Sequence, residues 1–361
     1  MNATPQLDLD APDPTLATLP TFDRYVSGLE GGPELLQGLI QLALDIKADP
    51  ARYVRDRPLE GKVFTALFLN PSLRTRTSFE AAMARLGGHM VTLSPGSGSW
   101  NLEFDTGVTM DGGAAEHIIE AAGVLSSYSD AIGMRAFAPM SDFLGEMRDE
   151  PMHQLANHAS VPVLSLESAC YHPCQGLADS MTLTELFEGT PQGQPFTLTW
   201  TRHPKMCGVA VPHSALLAAA RLGMNVTLAH PEGYDLHPDV IAQAAGLADA
   251  QGGQLQLTND MDAACEGARV IYAKAWGAPL DYGDPQAGAA RNASHPDWTV
   301  SDHHMQLGDD PWFMHCLPVR RNVVVTDSVL DSGRSAVQQQ AANRMWGQMA
   351  LLLKAMLNWR L

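Results

Sequence analysis

The sequence predicts an α/β protein of two similar-sized domains, each with a parallel sheet flanked by helices. Three observations carry that prediction. Short apolar runs alternate with amphipathic segments along most of the chain, which is the rhythm of βαβ units. At 361 residues the chain exceeds what one small core encloses. A break near Leu166 to Gln175 separates two such series.

In chain order, residues 1–21 are rich in Asp, Pro and Thr and read as a loose tail. Apolar residues at helical spacing (Leu35, Leu36, Leu39, Ile40, Leu42, Ala43, Ile46) predict a helix ending near Lys47. Lys62 to Leu69 reads as a buried strand, Thr77 to Leu86 as a helix stopped by Gly87-Gly88, and His89 to Leu93 as a second strand. Glu116 to Tyr128 is a predicted helix, with strands at Ala131 to Met134 and Val161 to Ser165. After Leu177 come a helix to Phe187, strand Phe196 to Trp200, helix Ser214 to Leu222, strand Asn225 to Ala229 and helix Pro238 to Ala250. Strands Gln254 to Leu257, Val270 to Tyr272 and Trp312 to His315 follow. Val337 to Leu357 is a long helix with an apolar stripe. The expected domains are 22–165, completed by the terminal helix 337–361, and 166–336.

Composition narrows the function. The formal charge of −17 argues against nucleic acid or an anionic membrane as a partner. No apolar run approaches the ~18 residues of a membrane span, and no basic region followed by an apolar block opens the chain, so a cytoplasmic protein is expected. Five cysteines without a framework spacing predict reduced thiols; Cys170 and Cys174 could suggest a metal pair, but no second Cys/His pair completes four ligands at familiar spacing, so no metal is expected. No Gly-x-Gly-x-x-Gly follows a strand, which leaves a dinucleotide site without support. Lysine occurs only at 47, 62, 205, 274 and 354, so cations for an anionic ligand must be mostly arginine.

The most informative segment is Asn70-Pro71-Ser72-Leu73-Arg74-Thr75-Arg76-Thr77, between a strand and a helix. A loop entering a helix exposes backbone N–H groups beside the positive end of the helix dipole. Two guanidiniums and several hydroxyls add donors suited to phosphate oxygens. The plainer reading is a capped helix whose arginines pair with Glu80. Arg135 stands at the carboxyl end of a predicted strand, where ligands of parallel sheets gather. His172-Pro173-Cys174-Gln175 precedes a helix at the domain junction, and His315-Cys316-Leu317-Pro318-Val319-Arg320-Arg321 follows the last strand. A Cys316–His315 dyad is the tempting reading of the latter. Adjacent residues on an extended strand point to opposite faces, which is poor geometry for a dyad.

Phe68 to Glu80 resembles the carbamoyl phosphate motif of the aspartate and ornithine carbamoyltransferases, with Leu73 in place of the usual Thr. That exchange removes one hydroxyl and leaves the Leu73 N–H as the phosphate contact there. His172-Pro-x-Gln175 and His315-Cys-Leu-Pro resemble two further motifs of the family, in family order. The resemblance implies a two-domain transferase without metal or organic cofactor. Ser72, Leu73, Arg74, Thr75, Arg76 and Arg135 would hold the phosphate. His172, Gln175, Arg135 and Arg320 would contact the carbamoyl group, and Cys316 and Leu317 would orient the incoming amine.

The acceptor is read from departures. Ornithine-specific members carry Asp in a Tyr-x-Asp-x-Trp segment, to meet the free α-ammonium. Here Tyr272-Ala-Lys274-Ala-Trp276 has a cation, which opposes a cationic substrate and suits an acylated one. Ser99-Trp100, Met110-Asp111-Gly112 and Thr199 to Lys205 resemble the acylornithine branch. That branch forms trimers in which this Trp reaches a neighbouring site, so a homotrimer with shared active sites is implied. The acceptor residues implied are Trp100, Glu103, Ala115, Glu167, His203, Lys274 and Arg321. Acetyl-type members have Glu where Ala115 stands and a modified Lys where Val324 stands. Both exchanges point to N-succinylornithine, because a carboxylate at 115 would repel a succinyl carboxylate. N-acetylornithine is the alternative, and ornithine a more distant one. A Cys316-dependent hydrolase and a non-catalytic sensor of carbamoyl phosphate are the competing classes.

Overall fold

A computed structural model describes residues 19–357, so the expected tail 1–21 lies outside the described residues except for its last three. In chain order the elements begin β1 (Arg24–Tyr25), α1 (Gly32–Ala48), α2 (Pro50–Asp56), β2 (Val63–Phe68), α3 (Arg74–Arg85) and β3 (His89–Leu93). They continue with β4 (Asn101–Glu103), β5 (Ala114–His117), α4 (Ile118–Tyr128), β6 (Ala131–Arg135), α5 (Phe143–Glu146), α6 (Glu150–His158) and β7 (Val163–Glu167). The second series is α7 (Pro173–Leu186), β8 (Pro195–Trp200), α8 (Ala210–Arg221), β9 (Asn225–Ala229), α9 (Pro238–Ala250), β10 (Gln254–Thr258), α10 (Met261–Cys265) and β11 (Val270–Lys274). Last come α11 (Pro285–Ala293), α12 (Asp302–Leu307), β12 (Trp312–Met314), α13 (Asp327–Leu330) and α14 (Val337–Leu357).

The chain divides into two compact units. The first holds the described residues through Phe137, then Asp149–Ser168, and the terminal helix from Arg344. Its five-stranded sheet has the order β1-β7-β6-β2-β3, and every pair is parallel. Strands β2 and β6 read as unbroken apolar runs because both of their faces are covered. The second unit holds Ala138–Arg148 and Ala169–Asn343, around a parallel sheet of order β10-β9-β8-β11-β12. Residues 138–148 join it through concrete contacts. Gly283 N–H donates to Met140 C=O at 2.8 Å, and Phe143 meets the Tyr282 ring edge-on at 5.0 Å.

Parallel strands bring all their carboxyl ends to one edge of a sheet, and register fixes which residues meet there. In the first sheet Phe68 lies opposite Arg135, and Arg135 opposite Glu167 after an irregularity at Met134/Arg135. In the second, Trp200 lies opposite Lys274 and Tyr272 opposite Met314.

Three helices start earlier than their apolar periodicity predicts. Helix α3 begins at Arg74, α7 at Pro173 and α8 at Ala210. Their first turns carry Arg and Thr, His-Pro, or a proline, which hides the 3.6 period. The short strands β1, β4 and β5 have no counterpart in the sequence reading. No disulfide joins any of the five cysteines. Among the described residues no helix is long and apolar enough to cross a membrane, and no His/Cys/Asp/Glu cluster is arranged to hold a metal.

Candidate active site

The residues expected to hold phosphate, Ser72 to Arg76 and Arg135, lie in the first unit. Ser72 Oγ accepts the Thr75 N–H at 3.1 Å and so shapes the turn into α3. Thr75 is 1 % exposed, and its hydroxyl accepts from two guanidiniums: Arg344 Nη2 at 2.8 Å and Arg135 Nη1 at 3.4 Å. A hydroxyl accepts twice and donates once, so the Thr75 proton stays available for an anion. Arg135 is buried, stacks over the Phe137 ring at 4.3 Å and donates to Glu167 Oε2 at 2.5 Å. Glu167, expected among the acceptor residues, is thereby an ion-pair partner of Arg135 in this unit. Arg76 lies 3.7 Å from Glu80 on the exposed face, so the plainer pairing holds for that one arginine. Leu73 is 78 % exposed, which an apolar side chain retained for packing would not be.

Sequence reasoning missed Arg344. It is buried on α14, read only as an apolar stripe. A signal was present: Gln340, Asn343, Arg344 and Gln348 recur at helical spacing, and all four are buried.

Strands β4 and β5 form a small parallel ribbon pairing Asn101 with Ala114 and Leu102 with Glu116. Ala115 is the unmatched residue and stands exposed in this irregularity. Trp100 is 60 % exposed, with its indole N–H donated to Glu116 Oε2 at 2.7 Å. Trp100 is therefore not a buried loop anchor, and an indole surface is presented outward. Glu103 accepts the N–H groups of Phe104 and Asp105 at 2.8 and 3.0 Å. The Asp105 and Phe104 bonds, with the nearby His117, hold its carboxyl below the usual range.

His172, Gln175 and the His315–Arg320 segment, expected about the carbamoyl group, lie in the second unit. His172 is buried at the start of α7, and its N–H donates to Ser214 Oγ at 2.8 Å. The neighbouring His213 holds Cys170 C=O through Nδ1 at 3.0 Å. Burial pushes the His213 pKa down to about 3, so it is neutral and can donate from Nδ1 while Nε2 accepts from His237 N–H. Gln175, one turn along, donates Nε2 to Asp179 Oδ1 at 2.8 Å. After β12, His315 Nδ1 accepts the Leu317 N–H at 2.9 Å. That nitrogen is occupied by the loop backbone and cannot serve as the base of a Cys–His dyad. Leu317 takes φ +56° and precedes a cis peptide to Pro318, so the loop turns sharply just past Cys316.

A cationic cluster follows strands β8 and β11. Arg320 Nε donates to His203 Nε2 at 3.2 Å, and His203 Nδ1 lies 2.8 Å from Lys205 C=O and 3.4 Å from Cys207 Sγ. The Lys205 N–H also donates to His203 Nδ1 at 3.1 Å, so both ring nitrogens are engaged. Burial pushes the Cys207 thiol up, but the Lys274 charge and the His203 contact outweigh it and the net pKa is lowered. Sequence reasoning missed Cys207: His203 and Lys205 are close in the chain, but the charges of Lys274 and Arg320 reach it from distant segments. Arg320, expected at the carbamoyl oxygen, is engaged with the acceptor-side His203. Arg321 is not brought to this cluster. Its terminal nitrogens pair with Asp327 and Asp331 at 2.6–2.7 Å, which raises its pKa and lowers theirs.

The carbamoyl-P binding domain of aspartate/ornithine carbamoyltransferases matches residues 28–185, and the Asp/Orn binding domain of the same family matches 206–355. An N-acetylornithine carbamoyltransferase of Xanthomonas campestris pv. campestris is 42 % identical over 297 residues, 81 % of this chain and 87 % of that protein. An N-succinylornithine carbamoyltransferase of Bacteroides thetaiotaomicron is 36 % identical over 309 residues, 86 % of this chain and 91 % of the relative. A crystal structure of a glutamate-to-alanine mutant of N-acetyl-L-ornithine transcarbamylase, complexed with carbamyl phosphate and N-succinyl-L-norvaline, matches with a TM-score of 0.88 at 38 % identity. The match covers 92 % of this chain and all of that one. Two consecutive domain matches and a fold shared along nearly the whole length agree with the buried arginine–threonine cluster: the chain is a carbamoyltransferase of the aspartate/ornithine carbamoyltransferase family.

Proposed function

We propose that this enzyme transfers the carbamoyl group of carbamoyl phosphate to the δ-amine of N-succinyl-L-ornithine, giving N-succinyl-L-citrulline and phosphate, in arginine biosynthesis. The observation that carries the reading is a cation where an ornithine enzyme needs an anion. Lys274 ends β11 beside the His203–Arg320 pair, a cluster suited to carboxylates and hostile to a free α-ammonium. Ala115, exposed and without charge, supports succinyl, as does the solved relative in which a glutamate-to-alanine exchange accompanies a bound N-succinyl compound. N-acetylornithine is the second reading, favoured by the higher identity of the Xanthomonas protein.

Ser72, the Leu73 N–H, Arg74, Thr75, Arg76, Arg135 and Arg344 hold the phosphate. His172 and Gln175 meet the carbamoyl oxygen and amide. The neutral δ-amine attacks the carbonyl carbon while Cys316 and Leu317 orient it. The developing oxyanion is met by fixed donors, including Arg135, His172 and the Thr75 hydroxyl, and phosphate leaves already paired with guanidiniums. The departing phosphate takes the amine proton. Trp100 completes the acceptor site of a neighbouring copy, which makes the working form a homotrimer. Turnover measured with ornithine, N-acetylornithine and N-succinylornithine tests the reading: the highest kcat/KM belongs to the succinyl compound, and a higher value with either rival overturns it.

A further inference from the structure

Beneath Gln175 and His315 lies a buried polar cluster that no motif of the sequence marks. Asp179, 1 % exposed on α7, accepts through both carboxylate oxygens. Oδ1 receives Gln175 Nε2 at 2.8 Å and Gln340 Nε2 at 2.7 Å, and Oδ2 receives the Tyr272 hydroxyl at 3.2 Å. Gln340 is locked at both ends, because its Oε1 accepts the His315 N–H at 3.0 Å. One carboxylate thus connects the segments of Gln175, Lys274 and Cys316. Burial and the adjacent Asp179 charge hold the Tyr272 phenol protonated; its hydroxyl donates to Asp179 and accepts Gln340 Nε2 at 3.2 Å.

A carboxamide has a donor end and an acceptor end of nearly equal shape, and packing alone does not choose between them. Charge does. The amino end of Gln175 faces a carboxylate, so Oε1 is the end turned to its other surroundings. Rotation of that amide would set two acceptors against each other in a buried place. Gln340 cannot relieve the conflict by rotating, since its own amino end would then meet the His315 N–H.

We infer that Asp179 is a positioning residue that turns the Gln175 carboxamide so that its carbonyl oxygen, and not its amino group, meets the –NH2 of the donor. The inference rests on Gln175 meeting the carbamoyl group, as proposed above. Donor selection then has a physical basis away from the phosphate. A carbamoyl group can donate to Oε1; an acetyl group of the same shape cannot. Asp179 selects a substrate that it does not touch.

Acetyl phosphate, which carries a methyl in place of the amino group, reads this orientation directly. Its competitive inhibition constant is compared with the KM of carbamoyl phosphate in wild type, Q175A, D179L, D179A and D179N. Inorganic phosphate affinity and thermal unfolding are measured alongside. In D179L and D179A no acceptor faces the Gln175 amino end, its orientation is lost, and discrimination against acetyl phosphate falls about tenfold or more. Inorganic phosphate still binds as in wild type. D179N keeps one carbonyl oxygen for the Gln175 and Gln340 amides, and discrimination is retained. A folded D179L or D179A with wild-type discrimination overturns the inference, as does a folded D179N no more selective than they are. If D179L does not fold, D179A decides by the same ratio. Unaltered discrimination in Q175A instead removes the carbamoyl role of Gln175, a separate failure.

Discussion

Arg344 Nη2 stands 2.8 Å from Thr75 Oγ1, a bond that joins residues 269 apart in the chain. The terminal helix therefore supplies a buried cation to a loop made near the start. R344A removes a charge-assisted donor from this cluster, and carbamoyl phosphate binding should weaken about thirty- to a hundredfold. Calorimetric titration with inorganic phosphate and donor KM check the loss. Wild-type values would take Arg344 out of the phosphate site. R74A and R76A test the loop itself in the same way.

Ala115 stands alone in the irregularity of the β4–β5 ribbon, where a longer side chain meets solvent rather than a packed core. A115E should therefore fold normally and shift the kcat/KM ratio from N-succinylornithine toward N-acetylornithine by about ten- to a hundredfold, the size of a single repulsive contact. Unchanged succinyl use would sink the selectivity argument.

The Cys207 thiol is held below the ordinary range, chiefly by Lys274 and His203 against the opposing effect of burial. More of it is thiolate at neutral pH than of a typical cysteine. Labelling with iodoacetamide should start at lower pH than for simple thiols, with loss of acceptor use and retention of phosphate binding. K274M should move the labelling profile to higher pH. If that profile does not move, the electrostatic account is wrong.

His213 fits its site only as a neutral ring. Its folded pKa of about 3 lies below the ordinary value of 6.5, so the unfolded chain binds the extra proton first as pH falls. Its contribution is fully present above pH 6.5 and is lost below it, at about 1.4 kcal/mol per pH unit. Between pH 6.5 and 5 that amounts to about 2 kcal/mol, readable as a lower urea midpoint. H213N should flatten this part of the profile.

The exposed Trp100 gives the shared-site proposal a simple test. W100A and R74A homomers should each be nearly inactive, while mixed and refolded together they should regain part of the activity. Hybrid oligomers combine an intact loop from one copy with an intact indole from another. Failure to regain activity, or an active monomer in sedimentation, removes the proposal.

What could be read in the sequence follows from how each residue is presented. Ser72 to Arg76, Arg135 and His172 sit at strand ends or helix starts, where a local pattern and a ligand role coincide. Lys274 was legible because one position carries the opposite charge to that expected. Arg344, Asp179 and Gln340 escaped because they lie inside helices and meet partners distant in the chain. Glu167 and Arg321 were assigned by resemblance, but each is held by a nearby opposite charge, Arg135 in one case and Asp327 with Asp331 in the other. A partner of that kind depends on register and loop course, which no short motif encodes.

In the second sheet Lys274 and Trp200 are register partners at the outermost rungs of β11 and β8; Trp200 is fully buried, whereas Lys274 stands just past the buried stretch Val270 to Ala273. The residue proposed to choose the amine, Lys274, is therefore the last one on a strand whose preceding four are core. Exchanging its charge asks nothing of the layers behind it. A scaffold of this kind can alter a preference through a single tip residue while its interior stays under unbroken packing constraint.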